Sequence, residues 1–524
     1  MQKGKETEHP DCHCGDAFND YQKGHIRQSV CRQLPVTYKH GDKYYCIFHF
    51  PSEEKKDEFA LAFNEKIEQE DYFFNGTWFP QIVDFSGHAF NKWVDFTAAT
   101  FNHEVSFDDA KFLANCRFTG ASFKAKASFS RTVFSNNDED ESAATFFSAT
   151  FESTVDFSSA KFKTKIDFSS TKFLVGYASS GDSPPTPSIS SFSWATFYDE
   201  TNFAGATFGN PEQRENFDSL LFSEATFEKL ANFRGADFIL STHFSNVVFK
   251  KTADFRETRI KSFLSFEGAS FEGFAKFSGK DNRHNSWPKG SLHFTSVDIE
   301  KSEKISFQGV ELKPDSFINT DVRKFDFTDI KWKPKNFAFD WSRVKGILFW
   351  KEEAKKGRSG YERLEVVYRR LAANAEENAR YREASDFRYT AFDIQRITRW
   401  YGRLPVTLLW WYKWTSRYGE NWMWATIILA GILTAAAYLY TKVDFYVCPL
   451  DRPVAQSSSA GLCTVRTLDR YEAGRQSLAT ATFQNVEHRR PVTGAGETVV
   501  LLEKIFAPLQ AALIALAIRR KFMR

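Results

Sequence analysis

FNHEVSFDDAKFLANCRFTGASFKAKASFSRTVF, residues 101–134, is the stretch whose spacing decides the fold. Phenylalanine stands at 101, 107, 112, 118, 123, 129 and 134, in steps that alternate between six and five residues. A helix would return apolar residues every three or four positions and a strand every second one, so this spacing belongs to neither. A period this short, held this long, describes one small unit stacked on copies of itself.

The lattice extends outward from that stretch. Backwards it runs through Phe96, Phe90, Phe85 and Phe79 to Phe74. Forwards it resumes at Phe146 and passes Phe151, Phe157, Phe162, Phe168 and Phe173, then Phe192, Phe197, Phe203 and Phe208. A last run goes from Phe222 to Phe277, with Ile260 filling one slot. Two residues before each Phe sits a small or branched apolar residue: Ala99, Ala110, Ala121, Ala127, Ala149, Ala160, Ala206, Ala225, Ala236 and Ala269, or Val94, Val105, Val155 and Ile166. Residues two apart in an extended chain point the same way, so each unit sends one small and one large side chain inward. Asp, Ser, Thr, Lys and Arg then face water.

This A-x-F unit every five to six residues resembles the pentapeptide-repeat proteins, in a Phe-rich variant. The resemblance implies a mainly β fold: a right-handed quadrilateral β-helix over residues 74–340, four short sides to a coil. With the C-terminal segments described below, it also implies a bacterial membrane protein. The pattern is interrupted around Asn136–Ser142, Tyr177–Ser190 and Lys280–Ser291. After Phe294 only Ile299, Phe307, Leu312, Phe317 and Trp332 keep a rough spacing, as expected of a cap over the open end of the stack. Some members of this family act as acidic DNA mimics against topoisomerases. Here outward Lys111, Arg117, Lys161 and Lys172 alternate with Asp95, Asp156 and Asp167, which points away from that role.

The chain has 524 residues, enough for two to four domains, and a net charge of +3, which argues against a dedicated nucleic-acid binder. Residues 1–20 are polar, without the apolar run of a signal peptide, so the N-terminal part is expected in the cytosol. Residues 1–51 read as a metal-binding module. Cys46-x-x-His49 has the spacing of a zinc half-site, and Cys12, Cys14 and Cys31 can supply the other ligands, with Cys12 and Cys14 as alternatives. No carboxylate stands ready to activate water, so a Zn2+ here is expected to be structural. Free thiols in a reducing compartment are the plain alternative.

Residues 52–73 form the next module, with one helix over 52–70. Ser52 suits its N-cap, Glu53 and Glu54 its first turn, and Phe59, Phe63 and Ile67 form a stripe that covers the first coil. Cys116 occupies an inward slot and reads as core. Asn75-Gly-Thr matches a glycosylation sequon that a cytosolic location leaves unused.

Residues 341–420 change character. A helical hairpin is expected over 358–400, turning near Asn374–Ala379 and serving as a rigid connector. Its stripes are Tyr361, Leu364, Tyr368 and Leu371, then Ala384, Phe387, Phe392 and Ile394. Trp400, Trp410, Trp411, Tyr412, Trp414 and Tyr418 cluster with Arg403, Lys413 and Arg417, a mixture that favours the headgroup layer of a bilayer. Trp422–Tyr440 is uncharged and long enough to span (421–442), and Val499–Ile518 is a second candidate (498–518) interrupted by Glu503, Lys504 and Pro508. The loop between them, 443–497, reads as polar and irregular, and holds Cys448 and Cys463 as candidates for a disulfide. The basic tail 519–524 suggests that both termini face the cytosol at the inner membrane.

No P-loop, G-x-S-x-G or H-E-x-x-H motif occurs in the chain. The expectation is therefore a non-enzymatic, membrane-anchored scaffold. Its partners would be the lipid bilayer and an unidentified cytosolic protein, with a homo-oligomer as a further option. The alternative is a pore built from oligomerised spans under the control of the solenoid, since charges such as Glu503 and Lys504 inside a span usually mark function. If both sit at the end of the span, they can instead reach the interface.

Overall fold

The computed structural model describes residues 12, 30–31, 34–136, 144–174, 189–210, 219–280, 287, 292–299, 304–332, 358–398, 407–448, 464–484 and 489–522. The chain divides into two units, Met1–Asn336 and Phe337–Arg524.

The first unit is a solenoid of very short strands. Trp78–Phe79, Val83–Asp84, Ala89–Phe90 and Val94–Asp95 make one circuit, and the next strand, Thr100–Phe101, pairs in parallel with the first. Phe79 aligns with Phe101 and Phe101 with Phe123, a step of 22 residues (101 − 79 and 123 − 101). These strands therefore meet their counterparts 22 residues later, and parallel ladders run along the stack.

Local chemistry keeps each strand short. The residue before many of the phenylalanines folds its side chain onto the backbone two positions on. Asp84 accepts from the Ser86 N–H, Asp95 from Thr97 and Asp167 from Ser169, each at 2.9 Å. Such side-chain turns bend the chain out of extension. Alternate corners then pass through the left-handed region: Gly76, Gly87, Ala98, Asp109, Gly120 and Arg131 have φ between 55° and 70°, eleven residues apart. Glycine tolerates this at no steric cost, and the other residues need the ladder to hold them there.

Inward, the phenylalanines form the columns that the spacing predicts. Phe101 lies 4.9 Å from Phe123 with its ring 5° from parallel, and Phe118 lies 4.6 Å from Phe146 at 2°. The strand separation in a sheet imposes this spacing, because identical residues sit above one another. Neighbouring columns meet edge to face, as Phe107 and Phe118 do at 86°. Ile260 takes its slot opposite Phe238 and is buried. Cys116 is buried as expected, and burial pushes its thiol far above the ordinary range. Where threonine replaces alanine in the small column, its hydroxyl is satisfied: Thr132 donates to the Phe107 carbonyl and Thr171 to that of Phe146, both at 2.7 Å.

Both ends of the stack are covered. Ser52 caps a 3-10 turn, Glu53–Lys55, that leads into helix α1, Lys56–Glu68. Phe59 and Phe63 of α1 lie on Phe74, Phe79 and Phe85 of the first coil. At the other end Phe294, Phe307, Phe317, Phe325, Phe327 and Trp332 pack together around two 3-10 turns, Pro314–Phe317 and Val322–Lys324. Outside, cross-coil ion pairs such as Arg131–Asp109 at 2.7 Å and Lys250–Glu228 at 2.9 Å mix both signs.

The second unit is helical. α2 (Arg358–Glu377) and α3 (Tyr381–Thr398) form the hairpin. Its turn falls at Asn378–Arg380, slightly later than the spacing suggests, because Asn374 stays in the helix and accepts from Arg380 at 2.6 Å. α4 (Leu408–Ser416) carries the aromatic cluster and ends in the left-handed residues Arg417, Tyr418 and Gly419. Tyr418 is buried and stacks on Phe392, so that ring serves packing rather than a headgroup layer. Trp400 and Arg403 lie outside the described residues.

Two helices, α5 (Trp422–Tyr440) and α7 (Gly494–Phe522), are long and apolar enough to cross a membrane. The described residues of the segment between them include regular structure. Strands Asp444–Val447, Thr464–Thr467 and Arg489–Pro491 make an antiparallel sheet beside helix α6, Arg470–Ala481. Its polar composition conceals a small core of Phe445, Leu468 and Ala473 against Tyr440 and Ala436 of α5. An Asp469–Glu472 capping box starts α6, and Arg489 binds Glu472 at 3.2 Å.

Candidate metal centre

Cys12, Cys31, Cys46 and His49 come together, their ligand atoms all within 4.8 Å of one another, and can hold a metal ion. Cys14 lies outside the described residues. The tight turn Cys46–His49 supplies two of the donors, with the His49 and Phe50 amides both bonded to the Cys46 carbonyl at 3.1 Å. His49 Nδ1 faces the sulfurs of Cys46 at 2.9 Å, Cys31 at 3.2 Å and Cys12 at 3.9 Å, and Cys31 and Cys46 are 3.6 Å apart. Cys12 Sγ also accepts the Cys46 amide at 3.3 Å.

The opposite edge of the imidazole is committed. Its Nε2–H donates to the Asn75 carbonyl at 2.8 Å, which leaves Nδ1 as the ligand nitrogen. Asn75 belongs to the first turn of the solenoid, and the Trp78 amide donates to the Phe48 carbonyl at 2.9 Å. The cluster is thereby tied to the start of the β-stack from two sides. Burial pulls the His49 imidazole down, but the Cys46 and Cys12 sulfurs outweigh it and hold the group up to about 10.

Two lysines of the cap are buried. Lys66 pairs with Asp71. Lys55, 1% exposed, donates to the Phe48 carbonyl at 2.9 Å and lies over the rings of Phe59 and Trp78. Burial lowers its amine to about 7, against the pull of the Cys46 and Cys12 sulfurs. In the sequence EEKKDE nothing distinguishes Lys55 from a solvated lysine. Only docking of α1 buries it.

The second unit holds the other candidate group. Glu503, 2% exposed, accepts from Tyr440 at 2.6 Å and from Ser477. Its side chain is therefore turned into the protein and joins α5, α6 and α7, and does not extend to an interface. Gln510 crosses the helices in the same way, donating to the Thr415 and Ala425 carbonyls at 2.8 Å. Both border a groove of about 970 Å³ that is otherwise lined by residues such as Trp411, Ile432, Leu439 and Phe506. Cys448 is disulfide-bonded, and Cys463, its expected partner, lies outside the described residues.

Residues 216–259 match the family described as Pentapeptide repeats (9 copies). The matched stretch falls inside the solenoid, and the same ladders and phenylalanine columns continue on either side of it. Neither a curated protein nor a solved structure matches the chain.

Proposed function

We propose that this protein is a non-enzymatic scaffold in a bacterial inner membrane, with a pentapeptide-repeat solenoid that presents its polar sides to a cytosolic protein partner. The observation that carries the anchor is the exposure of large apolar side chains on α5 and α7: Ile427 59%, Leu501 59% and Leu509 57%. Two helices of this composition are comfortable in hydrocarbon and costly in water. The full chain should stay with the membrane pellet through an alkaline carbonate wash. Recovery in the soluble fraction would remove the anchor from this reading. A right-handed, four-sided coil belongs to the same proposal: partners that recur every fourth strand support the four sides, and the right hand follows the rule for crossovers between parallel strands.

Zinc is our assignment for the metal. Bond lengths of about 2.3 Å to sulfur and 2.0 Å to nitrogen place tetrahedral ligand atoms roughly 3.4–3.8 Å apart. Four of the ligand pairs lie 2.9–3.9 Å apart, around that range, and all of them lie within 4.8 Å. Three cysteines and one histidine make a closed donor set, suited to a structural role.

On this reading both termini are cytosolic and the 443–497 segment is external. Cys448 then resides in an oxidising space, where a bridge to Cys463 is stable. A membrane-impermeant thiol reagent applied to intact cells should label Cys448 and Cys463 only after reduction, and Cys12, Cys31 and Cys46 not at all. Labelling of the N-terminal cysteines in sealed cells would reverse the orientation.

Glu503 favours a second reading, a pore from several copies, because among the described residues only hydroxyls contact this buried carboxylate. Ion flux through the purified protein in liposomes separates the two.

A further inference from the structure

We propose that α6 is a re-entrant helix: it dips into the bilayer beside α5 from the side that carries the 443–497 segment, and its Leu478 and Phe483 face lipid acyl chains. The proposal rests on the reading above that α5 and α7 span. It concerns a helix of 12 residues, too short to be a span itself.

The depth of α6 follows from its contacts with α5. Ala473 packs with Tyr440 and Ala436 at the end of that helix. One turn later the Ser477 hydroxyl donates to the Leu433 carbonyl at 3.1 Å. Leu433 stands seven residues before Tyr440 (440 − 433), about 10 Å along a helix. Thus α6 runs antiparallel to α5 and into its span. It ends at Ala481, one further turn along, near the level of the middle of Trp422–Tyr440.

The chemistry changes along α6 as this depth requires. At its start Glu472 pairs with Arg466 and Arg489. Arg475 lies over the Tyr471 ring at 5.9 Å, turned back toward that charged end, as long cations do near a membrane surface. From Gln476 to Gln484 there is no charged residue. Gln476, Ser477 and Thr480 are buried in the protein, whereas Leu478 is 60% and Phe483 63% exposed. The last carbonyls are also satisfied within the chain. Leu478 accepts from the Thr482 amide and hydroxyl, Ala479 from the Gln484 amide at 2.8 Å, and Thr480 from the Phe483 amide at 3.2 Å. Water can serve helix ends in solution, but hydrocarbon cannot. Phe483 itself has φ 56°, in the left-handed region that favours glycine. An exposed phenylalanine held there suits hydrocarbon better than water. The Ser477–Glu503 bond then lies inside the bilayer, and α6 is the element that brings a hydroxyl to that carboxylate.

The test is fluorescence quenching of the full-length protein in liposomes. A fluorescent amino acid is placed by codon suppression at 471, 478 or 483, and at Ile427 of α5 as the lipid-facing reference. Phospholipids brominated in their acyl chains should quench the label at 478 and 483 as strongly as at 427, and aqueous iodide should quench it only at 471. Iodide quenching at 478 or 483, with 427 answering to brominated lipid, would overturn the proposal. So would silence toward both quenchers at 478 and 483, since protein rather than lipid would then cover α6. Iodide quenching at 427 as well would fell the membrane anchor itself, a pattern distinct from failure at 478 and 483 alone.

Discussion

Removing the metal ligands produces the largest expected change. Cys46→Ser or His49→Ala in the full-length protein should leave it without stoichiometric zinc, measured by elemental analysis after zinc-replete expression. Structural zinc sites in small peptides supply apparent binding energies of about 10–16 kcal/mol, and that energy is spent on folding. Four side chains join Cys12 and Cys31 to the Cys46–His49 turn, and one side-chain bond and one backbone bond tie that turn to the first coil. The variants should therefore also lose protection of the Cys46–Phe50 turn from proteolysis, while the phenylalanine columns further along remain. Zinc must displace a proton from His49 Nδ1, a group held up to about 10 when no metal is bound. Affinity should accordingly fall as the pH falls. Wild-type protein free of zinc, or a His49→Ala protein that keeps it, would refute the assignment.

Phe162→Ala should lower stability by about 3–5 kcal/mol, the usual cost of emptying a large aromatic site. Phe162 stacks between Phe134 at 4.9 Å and Phe197 at 4.6 Å, and it meets Phe168 edge to face at 83°. The loss cannot be shared out by local collapse, because ladders on both sides fix the backbone at Val133–Phe134 and Thr196–Phe197. Replacement by leucine should cost less, since part of the volume is retained. The measurement is denaturant unfolding of the full-length protein, followed by a signal from the solenoid. An unchanged midpoint for Phe162→Ala would mean that this ring is not core.

Much of the solenoid was legible in residue order alone. A repeat that contacts only its neighbours turns a three-dimensional core into a one-dimensional pattern. The inward columns at Phe101, Phe107 and Phe112 could thus be read from their spacing. The same holds for the covering role of Phe59 and Phe63, which follows from a helical stripe placed just before the first coil. The left-handed corners were not legible, because Ala98, Asp109 and Arg131 occupy them as well as glycine. There the ladder overrides local preference.

The 443–497 segment shows the opposite case. Its core depends on Leu468, in a polar stretch without a period, meeting Phe445 and the Tyr440 end of α5. Glu503 likewise reads from the sequence either as a functional charge inside a span or as one that reaches the interface, and only the bonds from Tyr440 and Ser477 turn it inward.

The division between sequence and structure follows from the range of the interactions. Order along the chain determined the repeat, its inward residues, the two apolar helices and the identity of the metal-ligand candidates, because each rests on spacing between near neighbours. Only the tertiary structure brought Cys12 and Cys31 to Cys46 and His49, buried Lys55 and turned Glu503 inward. Those placements depend on which surfaces meet, and contacts between distant segments leave no period in a single sequence.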